Sequence, residues 1–318
     1  PSATVAVGDD IQVTAIPNGF LSQGTSHQVT INGGADADAF TVYSNKAQLD
    51  LNGDAGADTF EIRAFNNSLV NIDGGTENDS VDVVGTALAD TFVIADNSIR
   101  GSGLDISLTN IGNTITIDAL EGDDVFYVQS TLAGTVTTLY GGLGSDTFYM
   151  TGDVLGSGVD AQYAKTAHST TNIMGELILE GGESDVTWTF NKAAMLPTET
   201  AVVPVEVTVA TDETIKTDTL VVFNDGSTSD DNGQLTTTRL TGLGMGSNLD
   251  YVGFEVVELL LGSGDDTLTI DTSSLLVNTN FNFTAGANTV QRNDAGNWKT
   301  DGFRVGDAIL VADSTSNE

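Results

Sequence analysis

Cysteine is absent from all 318 residues. That excludes disulfides, thiol nucleophiles and thiolate zinc sites together. Basic residues are nearly as scarce, with ten Lys and Arg against 45 Asp and Glu, a formal net charge of −35. Phosphate backbones are bound through clustered Lys and Arg, and the ten here are scattered along the chain. Nucleic acid and anionic membranes are therefore excluded as expected partners. Only His27 and His168 carry imidazole, and only four prolines are present. No apolar run approaches the ~20 residues that span a bilayer, so no membrane insertion is expected. Neither G-x-S-x-G nor H-E-x-x-H occurs, which removes two common hydrolytic signatures. The chain opens on Pro1 with no charged-then-apolar leader, as expected of a processed chain or a segment of something larger.

What is present resists reading as a disordered acidic tail, because 39% of the residues are apolar and 13 are Phe. A charge of this size opposes compaction through self-repulsion. The carboxylates must be neutralised by solvation, as in halophilic surfaces, or by divalent cations. An extracellular or cell-surface location fits this composition.

GGLGSDTFY, residues 141–149, packs three glycines and an aspartate into six positions and then alternates apolar with polar residues. Related stretches are INGGADADAFTV from Ile31, LNGDAGADTFEI from Leu51, IDGGTENDSVDV from Ile72 and IDALEGDDVFYV from Ile117. LYGGLGSDTFYM starts at Leu139, LEGGESDVTWTF at Leu179 and LLLGSGDDTLTI at Leu259. In each, a large apolar residue follows the opening one by nine positions, as in Ile31/Phe40, Leu51/Phe60, Ile72/Val81 and Ile117/Phe126. Leu139/Phe148, Leu179/Trp188 and Leu259/Leu268 repeat the step, and Val83/Phe92 is a weaker eighth copy that overlaps its neighbour. The first three loops are spaced 20 and 21 residues apart, and Leu139 follows Ile117 by 22.

Between loops the residues alternate in and out with the two-residue period of half-buried strands. One unit reads as loop, short strand, turn, short strand. Repeats of this length predict an all-β fold, a parallel β-solenoid of ~20-residue coils with irregular insertions and a β-rich C-terminal part. Phe40, Val42, Leu49 and Leu51 should face inward, and Phe40, Phe60, Phe126 and Phe148 should stack. Right-handed crossovers are the general expectation for parallel strands. The competing reading is an antiparallel protein with Gly/Asp hairpin turns, which does not require a constant nine-residue step.

Glycine permits backbone angles that a Cβ forbids, so such loops turn carbonyl oxygens to one side, and the aspartate adds a hard anionic oxygen. Calcium takes six to eight oxygens, carbonyls included, at ~2.3–2.6 Å. Magnesium is stricter in geometry, and zinc and copper favour His and Cys. GGLGSDTFY resembles G-G-x-G-x-D-x-U-x, the nonapeptide of the RTX (hemolysin-type) calcium-binding repeats. The resemblance implies Ca2+ held by loop carbonyls and the sixth-place aspartate in a parallel β-roll. By position those aspartates are Asp38, Asp58, Asp79, Asp124, Asp146 and Asp266, with Asp90 in the eighth copy. Asp54 stands for the second glycine, Asp36 for the fourth, and the loop at 181 is displaced, with Asp185 at the fifth place. The neighbouring acids Asp36, Asp54, Glu77, Asp123 and Asp265 are read either as completing the coordination or as solvated turn residues. The family's repeats run two per coil and give two rows of ions. Here one loop per coil predicts a single, irregular row.

Residues 152–175 break the rhythm and read as an inserted loop or extra coil, with His168 a surface residue. Residues 1–190 read as the solenoid and 191–318 as a β-rich continuation or second β domain, containing Pro197, Pro204 and the last Gly/Asp loop. The paired acids recur from loop to loop, which argues for structure over a one-off catalytic dyad. The expected function is a structural or adhesive extracellular module of a bacterial surface protein, such as an adhesin, surface layer or filament subunit, folded and stiffened by calcium and not an enzyme. Copies of the chain or surface polysaccharide are the other expected partners. The alternatives are a carbohydrate-binding module, signalled by exposed Tyr127, Tyr140, Tyr149 or Tyr251, and a β-helix polysaccharide-modifying enzyme.

Overall fold

The computed structural model describes residues 26–63, 68–86, 88–154, 167–182, 215–271, 281–284 and 289–292. Asp185, Trp188, Pro197, Pro204, the 190/191 boundary and the tail beyond residue 292 lie outside the described residues.

The described chain is all-β, with two ten-stranded, mostly parallel sheets. Sheet I contains β1 (Val29–Ala35), β3 (Leu49–Ala55), β5 (Val70–Asp73), β7 (Thr91–Ala95), β8 (Ser98–Gly101), β9 (Leu104–Thr109), β11 (Val125–Val128), β13 (Thr147–Met150), β15 (Thr219–Phe223) and β19 (Val256–Leu260). Sheet II contains β2 (Ala39–Val42), β4 (Thr59–Ile62), β6 (Ser80–Thr86), β10 (Thr114–Leu120), β12 (Val136–Tyr140), β14 (Glu176–Glu180), β16 (Asn232–Leu235), β17 (Arg239–Gly242), β18 (Leu249–Val252) and β20 (Thr267–Ile270). A hairpin of β21 (Phe281–Thr284) and β22 (Thr289–Arg292) forms a third, small sheet.

The sequence spacings are register shifts between parallel neighbours. Val29 lies beside Leu49 and Phe40 beside Phe60, a step of 20. Leu49 lies beside Val70, a step of 21, and Val125 beside Thr147, a step of 22. The nine-residue step is the distance from an inward position on a sheet I strand, through the loop, to an inward position on a sheet II strand, or the reverse. Phe40 and Val42 in sheet II, and Leu49 and Leu51 in sheet I, are buried as expected and belong to one core that runs on to Phe254. Strands on both sides of the 190/191 boundary pair directly, β13 with β15 and β14 with β18.

Two antiparallel meanders interrupt the parallel order. In sheet I, β7, β8 and β9 pair antiparallel between β5 and β11. Ser102 and Gly103 make one of their tight turns, both with positive φ (48° and 81°), the geometry that suits the twist of a two-residue hairpin. In sheet II, β16, β17 and β18 do the same. The sequence pattern hid both, since a meander strand alternates like any other.

The expected aromatic row is divided between the two sheets. Phe40 stacks on Phe60 in sheet II, centroids 4.8 Å apart. Phe126 stacks on Phe92 at 5.2 Å and on Phe148 at 4.4 Å in sheet I. Part of the insertion at 152–175 packs outside sheet I, with Val154 against Val93 and Tyr127.

Candidate functional site

Each Gly/Asp loop joins the two sheets, and the chain passes through them in two directions. Forward crossings, from sheet I to sheet II, carry Asp38, Asp58 and Asp79, and later Asp231 and Asp266. Return crossings, from sheet II to sheet I, carry Asp90, Asp124, Asp146, Asp218 and Glu255. The expectation of a single row is therefore corrected. The row changes side where two aspartate loops flank a single strand, Asp79 and Asp90 around β6 and Asp218 and Asp231 around β15.

Within each set the carboxylates form a ladder. The Asp38 N–H donates to Asp58 Oδ1 at 2.8 Å, and the Asp58 N–H to Asp79 Oδ1 at 2.8 Å. On the return side Asp90 donates to Asp124 Oδ1 (2.6 Å), Asp124 to Asp146 Oδ1 (2.8 Å), Asp146 to Asp218 Oδ1 (2.8 Å) and Asp218 to Glu255 Oε2 (2.8 Å). A second forward run joins the Asp231 N–H to Asp266 Oδ1 at 2.9 Å. Asp90, from the weak eighth copy, is thus a full member. Asp218, Asp231 and Glu255 were missed. For Asp218 a signal was present, because Asp-Thr-apolar recurs at Asp58, Asp90, Asp146, Asp218 and Asp266. Its glycines, Gly181 and Gly182, stand far upstream in the sequence.

The ladder aspartates are buried where the series is continuous. Asp58, Asp79, Asp124 and Asp146 are at most 1% exposed, and Asp38 and Asp266 are half-buried. The second carboxylate oxygens of Asp38, Asp58, Asp79 and Asp124 are buried without a hydrogen-bond partner. Burial, reinforced by neighbouring carboxylates, raises Asp58 and Asp79 above the usual carboxylate range. Burial also raises Asp90, and it pushes Asp124 up to about 9, with Asp146, Asp90 and Asp123 adding to the effect. By contrast Asp36, Asp54, Glu77, Asp123 and Asp265 are exposed on the loop rims. Some tie one loop to the next: Glu77 Oε2 accepts from the Gly56 N–H at 2.8 Å, and Asp123 Oδ1 from the Ser145 N–H at 2.9 Å and from Lys216 Nζ at 3.0 Å. The Thr76 hydroxyl, with the Gly56 N–H, lowers the Glu77 carboxyl, and the Ser145 N–H, with Lys216, lowers that of Asp123.

The glycine pattern follows from the same stacking. In the five loops that start at 33, 53, 74, 119 and 141 the second and fourth positions are left-handed, even where the residue is Asp54 (φ 68°), Leu120 (φ 74°), Asp36 (φ 79°) or Glu77 (φ 77°). Asp36 and Asp54 thus stand in for glycine by adopting its backbone, as short polar residues do with least penalty. The first position is set by close approach. A methyl group on Gly74 would lie 2.5 Å from both Asp79 Oδ2 and the Asn110 carbonyl oxygen.

Calcium can be tested against this arrangement. The donors are hard oxygens, with buried unpartnered carboxylate atoms alternating with backbone carbonyls beside the first-position glycines. That donor chemistry fits calcium and does not fit zinc or copper. Among the described residues no three His, Asp or Glu side chains converge on one point. Calcium held here would need the carbonyls as well as the ladder aspartates, and the rim acids do not join them in a cluster.

The other expected surface features fall elsewhere. Tyr127 and Tyr251 are buried, and the Tyr251 hydroxyl donates to the Thr236 carbonyl at 2.5 Å. Tyr140 and Tyr149 are half-buried, and Tyr149 stacks on Tyr127 at 5.2 Å. His168 sits between Asp225 (2.9 Å) and Asp153 (3.3 Å) and packs on Phe223. Comparison with family models, curated proteins and solved structures finds no match. No helix among the described residues is long and apolar enough to cross a membrane.

Proposed function

We propose that this chain is a structural or adhesive extracellular module of a bacterial surface protein, a β-solenoid folded and stiffened by calcium taken up along its aspartate ladders. The observation that carries the reading is the stack of ladder carboxylates, in which Asp38, Asp58, Asp79 and Asp124 each bury an oxygen that accepts no hydrogen bond. Anions stacked level upon level in a low-dielectric interior repel strongly. At neutral pH they persist only by holding protons or by sharing cations. Asp38, Asp58 and Asp79 on the forward side, and Asp124 and Asp146 on the return side, would hold calcium with adjoining loop carbonyls. When bound, the ion supplies positive charge between levels.

Ligands from separate levels meet only in the folded chain, so ion binding and folding are coupled. In a calcium-poor cell interior the charge of −35 keeps the chain loose, and calcium outside compacts it. The loops recur with no position singled out for chemistry, which favours a structural role over an enzymatic one. The buried hydroxyl-bonded Tyr251 and covered Tyr127 offer no open stacking platform for sugars. The test is thermal melting at pH 7.5 with millimolar calcium, millimolar magnesium, or chelator. Calcium is expected to raise the melting temperature by more than 10 °C over chelator, and magnesium by much less. A melting temperature indifferent to calcium overturns the ion's role.

A further inference from the structure

The aspartate loops pass from the forward to the return crossing across β6 and back to the forward crossing across β15. The outermost described levels of the two large sheets are therefore built alike. β1–loop–β2 and β19–loop–β20 each run from the edge of sheet I through a forward crossing to the edge of sheet II. Asp38, Phe40 and Val42 have counterparts in Asp266, Leu268 and Ile270. Their surroundings differ, because Val42 is 3% exposed and Ile270, at the matching inward position, is 64% exposed. Leu259 and Leu268 of the same level are only partly buried against the core.

The ladder also has a direction. The N–H of one level donates to the carboxylate of the next, Asp38 to Asp58 at one end and Asp231 to Asp266 at the other. Among the described residues the forward series thus begins with a carboxylate acceptor, at Asp38, and finishes with an N–H donor, at Asp266. The two ends are complementary to each other, and neither is complementary to itself.

We propose that the β19–β20 end receives the β1–β2 end of a second copy, in a head-to-tail stack that continues both sheets and the aspartate ladder across the junction. The inference rests on the solenoid reading of the fold and is independent of calcium. Such a contact is heterologous, so repetition extends it into a linear array. The apolar surface it covers is the open core position at Ile270, with Leu268 beneath Phe40 of the incoming copy.

The absence of cysteine makes the register testable by cross-linking. Phe40 over Leu268 sets Thr41 beside Thr269 on neighbouring parallel strands. Strands ~4.8 Å apart fall within the Cα separation a disulfide bridges. The double variant Thr41→Cys/Thr269→Cys, oxidised mildly at high protein concentration, is expected to give a ladder of dimers, trimers and longer species on non-reducing gels. Each single variant should remain largely monomeric under the same conditions. Ile270→Lys added to the double variant should reduce the ladder at least tenfold, and sedimentation of Ile270→Lys alone should show a smaller mass than the parent chain. The proposal is overturned if the double variant stays monomeric, if either single variant cross-links as readily, or if the parent sediments as a monomer at every concentration. Melting of the same samples with calcium and chelator separates the two readings: a calcium response without cross-linking removes only the stack, and cross-linking without a calcium response removes only the ion.

Discussion

In the five loops between residues 33 and 146, left-handed backbone at the second and fourth positions explains both where glycine stands and where it has been replaced. Leu120 is the costly case, since a branched side chain at φ 74° has no compensating local hydrogen bond of the kind Asp makes. Leu120→Gly is expected to be neutral or to stabilise by up to about 1 kcal/mol, read by chemical denaturation. Two glycines give a sharper contrast. Gly144 (φ 152°) would drive a Cβ into the Gly122 carbonyl, whereas Gly34 (φ 106°) has open space on that side. Gly34→Ala should cost about 1 kcal/mol from backbone strain alone, and Gly144→Ala at least twice that, because a neighbouring loop must move. Asp124→Asn tests the charge itself. It should raise the melting temperature of the metal-free protein at pH 8 and shrink the increment that calcium produces.

At the scale of the element, strands of four to seven residues have little independent stability. They are held by parallel ladders on both sides and by inward side chains that stack in register. Phe126, fully buried between Phe92 and Phe148, is the centre of a three-ring aromatic stack. Phe126→Ala is expected to destabilise by about 3–5 kcal/mol, as large cavities in packed cores do. Phe40→Ala should cost less, since Phe40 has one stacking neighbour among the described residues and lies in the first described level. Denaturant midpoints at constant slope distinguish the two.

For the whole molecule, the raised carboxyls reverse the usual dependence on pH. The folded state holds the Asp124 proton up to about 9, and the unfolded chain releases it in the ordinary carboxylate range. Folding therefore takes up protons between those limits, and stability falls as pH rises through them. Asp58, Asp79 and Asp90 shift in the same direction. The metal-free protein is expected to melt highest near about pH 4–5 and progressively lower toward pH 9. Calcium should flatten that slope, because a bound cation removes the advantage of holding a proton. A metal-free melting temperature that climbs from pH 5 to pH 9 would contradict the buried ladder.

Residues 31–60 and 117–148 show how much was legible in one dimension. Alternation, the nine-residue step and the 20- to 22-residue spacing determined which side chains face the core, that the strands run parallel, and which aspartates recur, because each is a periodic property of local backbone. The number of ladders was decided only in three dimensions. Ser102-Gly103 and the strands around it read locally like any others, and nothing in their own composition says that they fold back within one sheet. That reversal sets β7 beside β11 and so puts Asp90 next to Asp124 across 34 residues, while the same ladder joins Asp146 to Asp218 across 72. Which loops share an edge depends on how many strands the chain spends in each sheet, a sum over the whole path that no single segment carries.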